Sequence, residues 1–154
     1  MSVDIRIRPA ERGDVAAIAA MFAQDTLGGH GDSAEPADLP DYLAAFDRIS
    51  ASPTDRLFVA VLGGEVVGTF QTTLITSLTG KGSSSLTIEA VHTRTDMRGH
   101  GIGQAMISHA IEQGRAQGAR LVQLTSNATR VDAHRFYARF GFSQSHLGFK
   151  MKLR

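Results

Sequence analysis

The sequence predicts an α+β domain with a central mixed sheet, and three observations predict it. Two apolar, β-branched runs, Leu57 to Leu62 and Glu65 to Phe70, flank the pair Gly63-Gly64 and read as a hairpin. The longest helical pattern, Gly101 to Gln117, lies between two further strand-like runs, Leu86 to Thr93 and Leu121 to Thr125. Helical spacing recurs before the hairpin and after the fifth strand, which makes the predicted order β-α-α-β-β-β-α-β-α-β.

Ile5 and Ile7 alternate with Arg6 and Arg8 before Pro9, a first strand with one buried face that ends in a turn. Asp14 precedes Val15 to Phe22, whose alanines and apolar spacing make a first helix with Asp14 as its N-cap. Gly28, Gly29, Gly31, Pro36 and Pro40 break the pattern and predict a loop over Asp25 to Leu39. Tyr42, Leu43, Phe46 and Ile49 then predict a second helix over Asp41 to Ile49. Past the hairpin, the break Gly80 to Ser85 separates the third strand from Leu86 to Thr93, completing a three-stranded antiparallel meander. Ile102, Ala105, Met106, Ala110 and Ile111 give the long helix an apolar side, and Gly118 stands where a helix ends in a left-handed residue. Leu121 to Thr125 reads as a buried strand, Asp132 to Phe140 as a helix with Ala133, Phe136, Tyr137 and Phe140 on one stripe, and Phe149 to Leu153 as a last strand.

Composition bounds the function. At 154 residues, 42% hydrophobic and 20% charged, the chain is expected to form one domain over residues 1–154. Sixteen Lys+Arg against fifteen Asp+Glu leave a formal charge of +1, so no bulk field draws nucleic acid or an anionic membrane. With no cysteine, disulfides, thiolate nucleophiles and Cys-type zinc sites are excluded. His92, His100, His134 and His146 fall on different elements without metal-ligand spacing, so no metal is expected. The longest apolar run, Val15 to Ala23, has nine residues, half the roughly 18 of a membrane span. Met1 to Arg6 shows no basic segment leading into an apolar one, and the expected location is cytoplasmic.

The chemistry concentrates in Arg98-Gly99-His100-Gly101-Ile102-Gly103, where a strand feeds the long helix. The first N–H groups of a helix have no partners within it, glycine admits an oxygen-rich group close to the backbone, and the helix terminus carries roughly half a positive charge. This is an anion site by construction, and Arg98 can add a full charge. There is no Gly-Lys-Ser/Thr of a nucleoside-triphosphate loop, and the glycine spacing is not that of a dinucleotide fold. A diphosphate held in another way remains open, as does a glycine-rich turn that serves packing alone.

Arg-x-x-Gly-x-Gly after a strand, then a helix, a strand and Ala133-His134-Arg135-Phe136-Tyr137-Ala138-Arg139-Phe140-Gly141-Phe142, resembles the GNAT superfamily of acetyl-coenzyme A dependent N-acetyltransferases. The likeness covers the whole chain loosely and Thr93 to Phe142 specifically, and Asn127 to Phe149 is similar to aminoalkylphosphonate N-acetyltransferases. The resemblance implies a mostly antiparallel sheet that splays between strands 4 and 5. It implies that backbone N–H groups of Arg98, Gly99, His100, Gly101, Ile102 and Gly103 hold the coenzyme A diphosphate. It implies too that the pantetheine arm pairs with the end of strand 4 around Val91, His92 and Thr93.

The same resemblance implies roles for side chains. An amine with a pKa near 10.4 must lose a proton before it attacks a thioester, and Glu89, nine positions before Arg98 on the strand face expected to carry Thr87, Val91 and Thr93, is the candidate base; a carboxylate paired with a neighbouring Arg or solvated at the sheet surface is its alternative reading. Thr87, eleven before, occupies another base position of the family and cannot serve. Tyr137 stands where the family places the tyrosine that protonates the departing thiolate; packing in the aromatic stripe is its alternative reading. Family members carry an Asn seven residues before that tyrosine, whereas here Arg130 holds the spacing and Asn127 lies ten before, so either is a candidate for the cofactor. Between Arg12 and Arg48 seven acidic residues and no basic one favour a cationic acceptor, with solvated loop charges as the alternative. The reading is therefore direct transfer of acetyl to a primary amine of a small molecule or peptide in a ternary complex, without a covalent acyl-enzyme. A homodimer is possible, and neither nucleic acid nor membrane is an expected partner. The rival is a non-catalytic acyl-coenzyme A binding or sensing module.

Overall fold

The computed structural model describes residues 4–25 and 30–154, so Gly28 and Gly29 of the expected loop lie outside the described residues. Five strands form one sheet in the order β1 (Arg6–Pro9), β2 (Asp55–Leu62), β3 (Glu65–Thr76), β4 (Ser84–Thr93) and β5 (Leu121–Leu124). The first four pair antiparallel, and β5 runs parallel to β4. That reversal follows from the connection, because α3 (Ile102–Ala116) carries the chain back across the sheet between them. The remaining helices are α1 (Val15–Ala23), α2 (Leu39–Ala51) and α4 (Val131–Phe140). Gly63 and Gly64 have φ of 59° and 80°, the left-handed pair that a two-residue hairpin needs.

Period-two alternation divides the core between the two faces. Phe58, Phe70 and Ile88 point to one side, where Ile102, Met106 and Ala110 of α3 cover them and Phe136 and Phe140 of α4 close the margin. Val59 points to the other side and meets Ile18 and Met21 of α1. The approach of α3 depends on Gly68 in β3, since a Cβ there would stand 2.8 Å from Met106 Sδ.

The structure departs from the sequence-based expectations in three places. Strand β3 runs six residues past Phe70, to Thr76, and the chain turns back through Gly80 and Lys81, both left-handed. Asp14 does not cap α1: its carboxylate accepts the Glu11 N–H at 2.7 Å and the Arg8 guanidinium at 2.7 and 3.0 Å. The expected last strand over Phe149 to Leu153 is not formed. The sheet ends at β5, residues 143–154 are exposed throughout, and the tail makes no strand pairing among the described residues. Alternation is necessary for a strand but not sufficient, because a strand also needs an edge within reach.

The Arg8 guanidinium, and to a lesser degree the Glu11 N–H, hold the Asp14 carboxyl below the ordinary carboxylate range against the opposing effect of burial. A depressed folded-state pKa contributes stability that is complete above the unfolded value of about 3.9 and fades as pH falls toward the folded value. Replacing Asp14 by Asn is expected to cost about 1–2 kcal/mol at neutral pH. In chemical denaturation at a series of pH values, the gap between wild type and Asp14→Asn stays constant above about pH 5 and narrows below about pH 4.

Candidate active site

Strand β4 has ten residues but pairs with β5 over only four, from Ser85 opposite Leu121 to Ile88 opposite Leu124. Beyond Ile88 the two strands part. On the β3 side, Gln71 lies opposite Glu89 and Thr69 opposite His92, so Ala90 and Val91 together face Phe70 alone. This is a β-bulge, with Ala90 at φ 52°. A left-handed alanine costs roughly 1–2 kcal/mol, and an extra residue bends and twists its strand. The outcome is a cleft: one wall is the backbone edge of residues 89–93, whose N–H and C=O groups on the β5 side find no backbone partner among the described residues.

At the far end of the cleft, Arg94 donates to Asp96 at 2.6 Å, and the exposed turn Arg98 to Gly101 leads into α3. Gly99 and Gly101 have φ of 81° and 80°, and a Cβ at either would meet nothing within 4 Å. The His100 ring folds back onto the Arg98 carbonyl at 3.1 Å. Gly101 is the N-cap and supplies no side-chain cap; the first helical bond runs from the Ala105 N–H to the Gly101 carbonyl at 3.1 Å. The N–H groups of Ile102, Gly103 and Gln104 therefore have no backbone acceptor among the described residues. Ile102 is buried and can offer only its backbone, and Gly103 sits beside the Phe136 ring. An oxyanion reaching this end meets three oriented donors, the helix dipole and Arg98.

The two candidate catalytic side chains lie on opposite faces of the sheet. Ile88 lies in the core under α3, so Glu89 points the other way; it is exposed and has no ion pair among the described residues. Tyr137 comes from the α3 side, packed against the core and edge-on to Phe136 and Phe142 at 5.3 and 5.9 Å. Burial pushes its phenol above the ordinary value, and the Arg130 charge opposes that push. The phenol therefore stays protonated throughout the neutral range.

A polar cluster not foreseen from the sequence joins three separate stretches of chain beside the bulge: the residues after α1, strand β4 and the residues before α4. Arg130 Nη2 donates to Asp25 Oδ2 at 2.6 Å, and His92 Nε2 lies 3.7 Å from the same oxygen. The His92 ring also stands edge-on to Phe22 at 4.9 Å. Burial lowers the His92 pKa, Asp25 opposes that, and Arg130 reinforces it, so the imidazole is neutral at pH 7. Arg130 is thus engaged at the end of α1, and Asn127 is engaged too: its Oδ1 accepts the Thr129 N–H at 2.9 Å while its carbonyl meets His134 Nε2. Val91 does not share the face of Glu89 as expected: the extra residue at the bulge turns it into the core on the α3 side, while Thr93 pairs with Gly68. No cluster of three or more metal-ligating side chains occurs among the described residues.

Over residues 15–142 the sequence matches the acetyltransferase (GNAT) family. The chain belongs to that family. It is 35% identical over 116 residues to the aminoalkylphosphonate N-acetyltransferase of Salmonella typhimurium, an alignment covering 73% of this chain and 75% of that one. A transcriptional regulator from Bacillus halodurans C-125 superposes with a TM-score of 0.93 at 39% identity, over 97% of this chain and all of the other. The N-acetyltransferase AAC(6')-Iy, solved with a bisubstrate analogue of coenzyme A, shares the fold alone: 16% identity, TM-score 0.78, 98% and 99% coverage. Acetyl-coenzyme A is the co-substrate of GNAT acetyltransferases, and the open glycine turn and unpaired strand edge fit a diphosphate joined to an amide-bearing arm.

Gly101→Ala places a methyl group in the glycine cradle and strains a left-handed position by roughly 1–2 kcal/mol. By calorimetry this variant of the GNAT domain is expected to bind acetyl-coenzyme A about tenfold more weakly, which corresponds to about 1.4 kcal/mol. Unchanged affinity would remove the turn from the binding site.

Proposed function

We propose that the protein transfers the acetyl group of acetyl-coenzyme A to a primary amine of a small molecule, directly, within a ternary complex. The observation that supports this most is the parting of β4 from β5 at the Ala90 bulge, in line with an open-ended helix N-terminus. In this reading the N–H groups of Arg98 to Gly103 take the diphosphate. The free edge of Val91 to Thr93 takes the pantetheine amides as an added strand would. Backbone donors at the same edge polarise the thioester carbonyl.

Glu89, directly or through water, accepts the ammonium proton of the acceptor. The freed amine nitrogen bonds to the acyl carbon as the carbon–sulfur bond breaks. Tyr137 donates its phenolic proton to the departing sulfur and recovers one from solvent or from the amine. With a thiol pKa near 8.5 and a phenol raised above 10, the thiolate takes this proton only transiently, which suits a group that must be protonated again for the next turnover. A cytoplasmic setting belongs to the same reading.

For the acceptor, the acidic stretch before Arg48 is a weaker guide than its count of charges. Asp14 is held by Arg8, Asp47 by Arg12 and Asp25 by Arg130, while Asp32 accepts the Tyr42 hydroxyl. The remaining field is modest, and Arg130 brings a positive charge beside the bulge. An aminoalkyl compound with an anionic end, as the Salmonella relative's name describes, is therefore the first acceptor to assay, with polyamines as the contrast. A coenzyme A-binding module without turnover is favoured by one observation, the regulator that shares 39% identity over nearly the whole chain.

In steady-state assays Tyr137→Phe is expected to lower kcat by about 10²-fold, with acetyl-coenzyme A affinity changed less than about threefold. Glu89→Gln is expected to lose activity at pH 7 and to recover as pH rises toward the amine pKa of about 10, because the acceptor then deprotonates unaided. Tight binding of acetyl-coenzyme A with no thiol released from either amine class would favour the sensing module over the enzyme.

A further inference from the structure

Strand β1 is shorter than the strand it covers, and its end opens a recess away from the acetyl-transfer cleft. Its pairing with β2 stops at Pro9 opposite Phe58, and the Ala10 N–H makes the last edge bond, to the Leu57 carbonyl at 2.8 Å. Beyond that point Asp55 and Arg56 have no strand on their outer side. Helix α2 flanks this gap on one side and α3 on the other, leaving a groove of about 490 Å³, a size usual for small-molecule sites. Ile7, Pro9, Phe46, Ile49 and Leu57 give it apolar walls. The α3 residues that line it, His109 and Gln113, come seven and eleven positions after Ile102. At 1.5 Å per residue that is about 10 Å or more along the helix from the glycine turn.

The polar groups of the groove form a directed chain. Arg56 Nη1 donates to Gln113 Oε1 at 2.9 Å. A guanidinium has only donors, so Gln113 shows it the carbonyl and turns its amide toward His109, whose Nε2 lies 3.5 Å away. Nε2 is then the acceptor of the imidazole, and the ring proton sits on Nδ1. The ring stands edge-on to Phe58 at 5.2 Å, and burial lowers its pKa, which keeps it neutral at pH 7. Two sets of donors are left over: neither His109 Nδ1–H nor the other N–H groups of Arg56 have a protein acceptor among the described residues. Arg56 makes no ion pair among those residues either. Asp55, the carboxylate that lines the groove, belongs with Leu57 to the other face of β2 and accepts the Thr73 hydroxyl.

We propose that this groove binds a small aryl carboxylate, its anionic end held by Arg56 and His109 and its ring set among Phe46, Ile49 and Leu57. Donors without acceptors call for an acceptor-rich group, which excludes an amine as the polar end. The single permanent cation of the groove balances a monoanion, and a guanidinium edge matches the two oxygens of a carboxylate. An aromatic body suits walls that already carry the Phe46 and Phe58 rings beside the imidazole.

The test follows amide chemical shifts of the full chain during titration with benzoate and naphthoate, with naphthamide as the uncharged contrast. Saturable binding of a carboxylate is expected, about tenfold tighter than the amide, a ratio that the charge-assisted pair with Arg56 supports. The shifts are expected in residues 46–50, 56–58 and 109–113, and saturating acetyl-coenzyme A is expected to leave the affinity unchanged. Arg56→Gln alters an exposed side chain and is expected to weaken carboxylate binding by about tenfold while the amide binds as before. Arg56→Lys, which keeps the charge and loses the fork, is expected to fall between the two. No saturable shift with either carboxylate up to about 10 mM, equal binding of naphthoate and naphthamide, or affinity untouched by Arg56→Gln would each overturn the site. So would competition by acetyl-coenzyme A with shifts confined to residues 89–104, which would place the ligand in the transfer cleft instead.

Discussion

Strand β4 has to serve two neighbours of unequal length. It is paired along most of its length with β3 but with β5 over only four positions, and the site exists because of that mismatch. Had β5 continued, the backbone groups of residues 89–93 would be consumed in a ladder and would have nothing to offer a ligand. The bulge at Ala90 reinforces the parting by turning β4 just where its partner ends. Strain of this kind is tolerated because the surroundings fix it: Phe70 and Ile88 on either side of the bulge are fully buried.

Glu89 belongs to the α1 face and Tyr137 to the α3 face; in the proposed mechanism the parting of the strands lets groups from both faces act on one bound molecule. The Asp25–Arg130 pair joins the end of α1 to the residues leading into α4 across that gap. Its side chains are mostly screened from solvent, 29% and 10% exposed for Arg130 and Asp25, and it lies beside His92. In the proposed complex the glycine turn takes the diphosphate at the far end, and the arm between them separates it from the acyl group.

Much of this was legible from residue patterns. Hydrophobic period marked nine of the ten expected elements, because each of those buries a face against another. The Gly99–Gly101 turn was readable from glycine spacing at a helix start. The bulge leaves a trace in the apolar positions: Leu86 and Ile88 are buried and are followed by half-buried Val91 rather than by Ala90, a skipped beat in the alternation. The Asp25–His92–Arg130 cluster left none, since its members are up to 105 positions apart and each is unremarkable locally. The tail shows the opposite case, an alternation that forms no strand: residues 143–154 are exposed and pair with no sheet edge among the described residues.

Amide hydrogen exchange on the protein with and without acetyl-coenzyme A tests the central claim most directly. The account predicts slowed exchange at two separated stretches, the backbone of Val91 to Thr93 and the N–H groups of Ile102 to Gln104, with β5 residues 121–124 unchanged. Slowing confined to other parts of the chain, with both stretches exchanging as fast as before, would contradict it.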